Sequence, residues 1–199
     1  CKLLKINDFH DIYLTAHKLN FLIFFSSLLI FFKLIKKRFE STLISILGIS
    51  FLILSPRIFA ESFYNSRDIF FMCLFIFYLN SLFNYLENKN FKSILLFSFF
   101  TALLINAKIL ALLPIAVFCL LYIYNFLNTK SRFLEEKNNL LKLLFFCVFF
   151  IYLLWPYLWD DPIQNLFLAL RDMLKGHEEI ILINYYFGEY ISSDMMPWH

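Results

Sequence analysis

Residues 19–35 read LNFLIFFSSLLIFFKLI. Lys33, two positions from the end, is the only charge in this run. As a helix the stretch would rise about 25 Å at 1.5 Å per residue, close to the ~30 Å thickness of a bilayer's hydrocarbon. It crosses if the side chains at its ends snorkel to the interface. Lys36, Lys37 and Arg38 close it. A soluble core has no need of such a run. The composition agrees: 61% of the residues are hydrophobic and 28 of 199 are Phe, with a mean hydropathy of +0.69. Those values lie outside the range of soluble domains.

Further runs follow the same form. Thr42 to Leu54 is short and is closed by Pro56. Ile69 to Leu86 is the third run. Ser93 to Leu127 is too long for one crossing and long enough for two, with a turn expected at Asn106-Ala107-Lys108. Leu140 to Leu154 is the last, ending at Trp155-Pro156. The expectation is an all-α fold, a polytopic membrane bundle of about six transmembrane helices over residues 1–155. Residues 156–199 would form a tail carrying an outer amphipathic helix at 162–175.

Charge sets the orientation. Lys33, Lys36, Lys37, Arg38, Lys89, Lys92, Lys130, Arg132, Lys137 and Lys142 fall in alternate connections, whereas the opposite connections hold only Arg57, Arg67 and Lys108. The positive-inside rule puts the first set in the cytoplasm and the loop 56–68, Lys108 and the tail outside, in an inner-membrane protein. The net charge of +3 says little by itself, and no basic patch interleaved with aromatics points to nucleic acid as a partner. Cys73, Cys119 and Cys147 lie inside apolar runs and read as small hydrophobes. Cys1 opens the chain without a Met, so the chain is expected to begin partway into a larger protein; a lipidated mature Cys is the rival reading.

In the tail, Asp161 suits an N-cap, Pro162 the first helical position and Gly176 the stop. Ile163, Leu166, Phe167, Leu170, Met173 and Leu174 recur at helical spacing. Such a helix lies in the interface with Trp155, Tyr157 and Trp159 as anchors, or packs on the bundle.

The candidate chemistry sits in residues 55–71, SPRIFAESFYNSRDIFF. Arg57, Glu61, Asn65, Arg67 and Asp68 abut a span, where charge is costly unless it pairs, binds an ion or faces water. Asp68 directly precedes Ile69-Phe70-Phe71; it either serves a reaction or caps the next helix and pairs with Arg67 or Arg57. Lys108 has no acid near it in sequence, so it awaits a phosphate or a distant carboxylate, or else snorkels. The tail offers Asp160, Asp161, Arg171, His177, Glu178, Glu179 and Pro197-Trp198-His199, without the spacing of a metal site.

The ordered set PRIFAESFYNSRDIFF, LLINAKILALLPI, LLWPYLWDDPIQNLFLALRDM and YYFGEYISSDMMPWH resembles the membrane-embedded GT-C glycosyltransferases. It is most similar to the branch of protein O-mannosyltransferases and lipopolysaccharide aminoarabinose transferases. The resemblance runs over nearly the whole chain, and DIYLTAHKLNFL is similar to the family's second span. It implies transfer of a sugar from a polyprenyl-phosphate donor to a lipid, glycan or protein acceptor, with inversion, on the outer side. By the same resemblance Asp68 is the acidic residue after the family's third span, a catalytic residue near the acceptor or a divalent metal ion that it would ligate. Arg57, Asn65, Arg67, Lys108 and His199 bind substrate, with Lys108 facing the donor phosphate. The family has His where this chain has Glu61 and Lys where it has Arg67. Its first span and the acidic pair that supplies the general base would precede residue 1, so this stretch alone is expected to be inactive. A transporter or flippase for lipid-linked saccharides and a non-catalytic membrane subunit are the other readings.

Overall fold

The computed structural model describes residues 9–128, 133–175, 183–186 and 189–192. Helix α1 (Phe9–Phe39) contains the opening apolar run and ends in Lys36, Lys37 and Arg38, cations that suit a helix C-terminus. After Glu40, which takes a positive φ of 53°, Ser41 caps α2 (Thr42–Leu54) through its hydroxyl. Pro56 stops α2, because it has no N–H to donate, and then takes the first position of α3 (Pro56–Tyr64). The two helices meet at an angle of 67°. The expected loop over 56–68 is therefore mostly helix; Ile58, Phe59 and Phe63 recur along it at helical spacing, and the Ser62 hydroxyl donates to the Phe59 carbonyl.

Helix α4 (Asp68–Glu87) and α5 (Phe91–Ala107) follow, the latter capped by Asn90. α5 stops where the turn was expected: Lys108 is extended, and one 3-10 turn (Ile109–Ala111) leads into α6 (Leu112–Asn128). Pro114 lies in the first turn of α6, where its missing N–H costs nothing. Then come α7 (Phe133–Leu154), a 3-10 turn at Pro156–Leu158 and α8 (Pro162–Lys175). The chain is overwhelmingly helical. An addition that hydropathy did not foresee is an antiparallel ribbon in the tail, β1 (Ile183–Tyr186) with β2 (Glu189–Ser192), Tyr186 facing Glu189.

Two ion pairs fix how the helices run. Lys37, near the end of α1, meets Glu87 at the end of α4. Asp68, at the start of α4, meets Lys108 at the end of α5. So α1 and α4 run the same way and α5 runs back. α2 and α3 together return beside α1, since Phe63 stacks on Phe21 at 4.8 Å and 6° between ring planes. α6 again follows α4, with the Tyr78 hydroxyl donating to the Pro114 carbonyl and Tyr85 meeting Phe118.

α4 is common to two cores. On one side Ile69 and Cys73 pack with Phe24 and Leu28 of α1. On the other, Tyr78 and Tyr85 pack with Phe97 of α5 and Phe118 of α6, ring centroids 5.1 to 6.3 Å apart. Such ring pairs contribute about 0.5–1.5 kcal/mol each beyond the area they bury. Buried hydroxyls allow the close approach between helices, because each bonds within its own helix or to a neighbour's carbonyl. Ser27 donates to Phe24, Ser81 to Tyr78 and Thr101 to Phe97, while Ser98 of α5 reaches Leu143 of α7 at 3.2 Å.

The outside is apolar. Leu22, Phe51, Phe145 and Val148 are exposed, Phe51 at 77%. A surface of this kind is covered by lipid rather than water. Three helices, Asp11–Phe39, Asp68–Glu87 and Lys137–Leu154, are long and apolar enough to cross a bilayer, and α2 with α3 makes a fourth if the bent pair is one span. α5 and α6, at 17 residues each, are apolar but fall short by length. Length and composition thus mark a membrane protein and carry three or four of the six crossings counted from the sequence.

Candidate functional site at the head of α4

Along α3, Arg57, Glu61 and Asn65 are spaced four apart and so share one face. Arg57 Nε donates to Glu61 Oε1 at 2.9 Å, and Asn65 Nδ2 donates to Glu61 Oε2 at 3.0 Å. The same Nδ2 lies 3.2 Å from Asp68 Oδ2, and Lys108 Nζ donates to the other oxygen, Oδ1. One polar chain therefore runs from Arg57 through Glu61, Asn65 and Asp68 to Lys108, across two connections of the bundle.

Asn65 also begins α4. Its Oδ1 accepts from the backbone N–H of Arg67 at 3.1 Å and of Asp68 at 2.9 Å. These are two of the donors that a helix start leaves without partners. Asp68 is thus not the cap, and its partner is neither Arg57 nor Arg67 but Lys108. Its carboxylate in the first turn still complements the positive end of the helix. Lys108 is half-buried and lies over Phe71, Nζ 5.8 Å from the ring centroid, which steadies the ammonium beside an aromatic face. Asp68 is the more open partner, its side chain 61% exposed against 36% for Lys108.

Of the residues singled out from the sequence, Asn65, Asp68 and Lys108 are brought together, and Arg57 joins them through Glu61. The Arg67 side chain is exposed beside them. His199 lies outside the described residues. Glu61 was named in the segment but given no role. Its side chain is only 18% exposed, and it bonds both neighbours four positions away. The i, i+4, i+8 spacing of Arg57, Glu61 and Asn65 carried that signal. Asn106, two residues before Lys108, has both amide atoms buried with no hydrogen-bond partner among the described residues. Buried amides are nearly always paired, so this one stands out.

The arrangement offers a cation for an anionic group and a carboxylate for a hydroxyl or an amine, side by side at one end of the bundle. Lys108 sits on one Asp68 oxygen, and no three His, Cys, Asp or Glu gather among the described residues. A metal at Asp68 would draw its further ligands from elsewhere. α8 shows the expected amphipathic pattern, with Ile163 75% and Phe167 69% exposed, and Asn165 Nδ2 donates to the Tyr157 carbonyl at 2.8 Å. No protein-family model, curated protein or solved structure matches the chain.

Proposed function

We propose that the chain is part of a membrane glycosyltransferase that moves a sugar from a polyprenyl-phosphate donor to a lipid, glycan or protein acceptor. The reaction takes place at the membrane surface where Asp68 and Lys108 meet. The observation that carries this reading is that meeting, between residues forty positions apart in sequence. In the transfer, the acceptor's oxygen or nitrogen bonds to the anomeric carbon. The bond from that carbon to the phosphate oxygen breaks, and the lipid phosphate leaves with the electron pair. The Lys108 ammonium would hold the charge that develops on the phosphate. The Asp68 carboxylate would hold the acceptor's hydroxyl or amine, giving up Lys108 to the phosphate as the donor binds. The general base lies outside the residues assigned here, and no step runs through a metal ion.

The reading takes the bundle as six alternating passes. Lys37 meets Glu87 at the end of α4 opposite Asp68, as alternation requires, and Lys36, Arg38 and Lys89 are close in sequence to that opposite end. The positive-inside rule makes that opposite end cytoplasmic, in an inner membrane. α8, with Ile163, Leu166, Phe167 and Leu168 exposed, then lies in the outer interface.

The test is Asp68→Ala in the full-length protein. Transfer of sugar from a polyprenyl-phosphate donor should be lost while the protein still inserts into the membrane in normal amount. Transfer at the unmutated rate would overturn the role. The 67° break between α2 and α3 favours a second reading, a transporter or flippase, because broken helices line transport paths. In that case Asp68→Ala would slow movement of a lipid-linked saccharide across vesicles, with no transfer in any variant.

A further inference from the structure

At the same end of the bundle a cavity of about 530 Å³ opens between α1, α3 and the start of α4. The size falls within the range of small-molecule sites, about 300–1,000 Å³. Its lining holds no Asp, Glu, Lys or Arg. The lining is mostly apolar and includes the aromatic residues Tyr13, Phe63, Tyr64 and Phe70, with His17, Asn20 and Ser66 as its other polar residues. Tyr13 and His17 form an edge-to-face pair at 4.0 Å, and Asn20 Nδ2 reaches the Phe63 carbonyl only at 3.5 Å, a weak bond.

These features narrow the occupant. A phosphate in this cavity would leave water without a lysine or arginine to hold it, and burial of an unpaired charge is costly. An acyl chain would match the apolar part of the lining but would give His17, Asn20 and Ser66 no bond in return. A neutral ring bearing hydroxyls meets both demands. Its C–H faces lie against aromatic rings, and its hydroxyls bond the imidazole, amide and serine.

The placement ties the cavity to the charged cluster. Tyr64 and Ser66 line the cavity, while the residues between and after them, Asn65 and Asp68, belong to the cluster. Phe70 lines the cavity and Phe71 lies under Lys108. One turn of chain serves both sites. We propose that this cavity seats an uncharged sugar ring, while Asp68 and Lys108 hold the charged part of the reaction. The assignment to a ring that takes part in transfer rests on the glycosyltransferase reading; the binding of a sugar ring does not.

The two are tested apart. Saturation-transfer NMR on the full-length protein in lipid nanodiscs, with methyl hexosides and pentosides at millimolar concentration, reads binding without any turnover. Signal on the ring protons is expected, with affinity about fivefold to tenfold weaker in Tyr64→Ala and in His17→Ala. Tyr64 is 60% exposed, so its removal leaves the bundle folded, and Tyr64→Phe should keep most of the binding. No signal from any glycoside, or equal signal in all variants, would overturn the proposal. Where transfer is measurable, a raised KM for the donor in Tyr64→Ala assigns the ring to the donor, and a raised KM for the acceptor assigns it to the acceptor. An unchanged KM for both would remove the cavity from the reaction. Absence of transfer with every donor would sink the glycosyltransferase reading and leave the binding result to decide the cavity.

Discussion

Asn65 holds more of the site than any other side chain. Its amide nitrogen joins Glu61 to Asp68, and its oxygen starts α4. Asn65→Ala removes all of these bonds at once. The expected cost is about 1–2 kcal/mol, the range for losing a helix cap. It would be read as a lower melting temperature of the purified protein in detergent. Asn65→Asp keeps the two backbone bonds but sets a third carboxylate between Glu61 and Asp68, so it should recover only part of the loss. From the sequence, Asp68 and Lys108 could each be picked out as charges at span ends, because hydropathy exposes any ion next to an apolar run. The charge count put both on the outer side, but their pairing could not be read, since forty residues separate them and several outer charges could have met either one. Glu61 was legible in its spacing, but only if residues 56–64 were taken as a helix.

At the scale of elements, α1 and α2 pack through Gly48. A methyl group placed there would come within 2.4 Å of the Ile35 Cδ1 atom, with Phe31 next at 3.6 Å. The obstructing atom is the far end of a flexible side chain, so Gly48→Ala should be tolerated, with a shift of Ile35 offset by the better helix propensity of alanine. Gly48→Leu has no such escape. It should cost on the order of 1–3 kcal/mol through overpacking, visible as reduced folded yield and a lower melting temperature. The broken pair α2–α3 shows why the expected loop at 56–68 became a helix. Pro56 was read as an ending, yet proline ends one helix and opens the next with equal ease. The turn before α6 was legible because Asn106 and Lys108 interrupt an apolar run that is too long for a single crossing. The ribbon of β1 and β2 left no such mark in hydropathy.

For the molecule as a whole, α4 is the shared wall. It belongs to both cores, and one ion pair sits at each of its ends. The apolar surface suits lipid, and the proposed alternation predicts which residues meet water on which side. With the native cysteines Cys1, Cys73, Cys119 and Cys147 replaced, Ser66→Cys should react with an impermeant thiol reagent added outside intact cells. Lys89→Cys should react only after the cells are opened. The reverse pattern would invert the orientation without disturbing the fold.

The positions of those two ion pairs have a mechanical consequence. α4 is 20 residues long, so Asp68 and Glu87 stand about 28 Å apart along its axis at 1.5 Å per residue. That is close to the ~30 Å depth of a bilayer's hydrocarbon, with a pair bound to a neighbouring helix at either rim. A helix that crosses with a pair at each end would register the thickness of its membrane. In a thinner or thicker bilayer its tilt must change, and the pairs with α1 and α5 are the contacts that would feel the change first. Asp68 and Lys108 form one of those pairs, so lipid chain length alone would tune how readily the carboxylate and the ammonium separate.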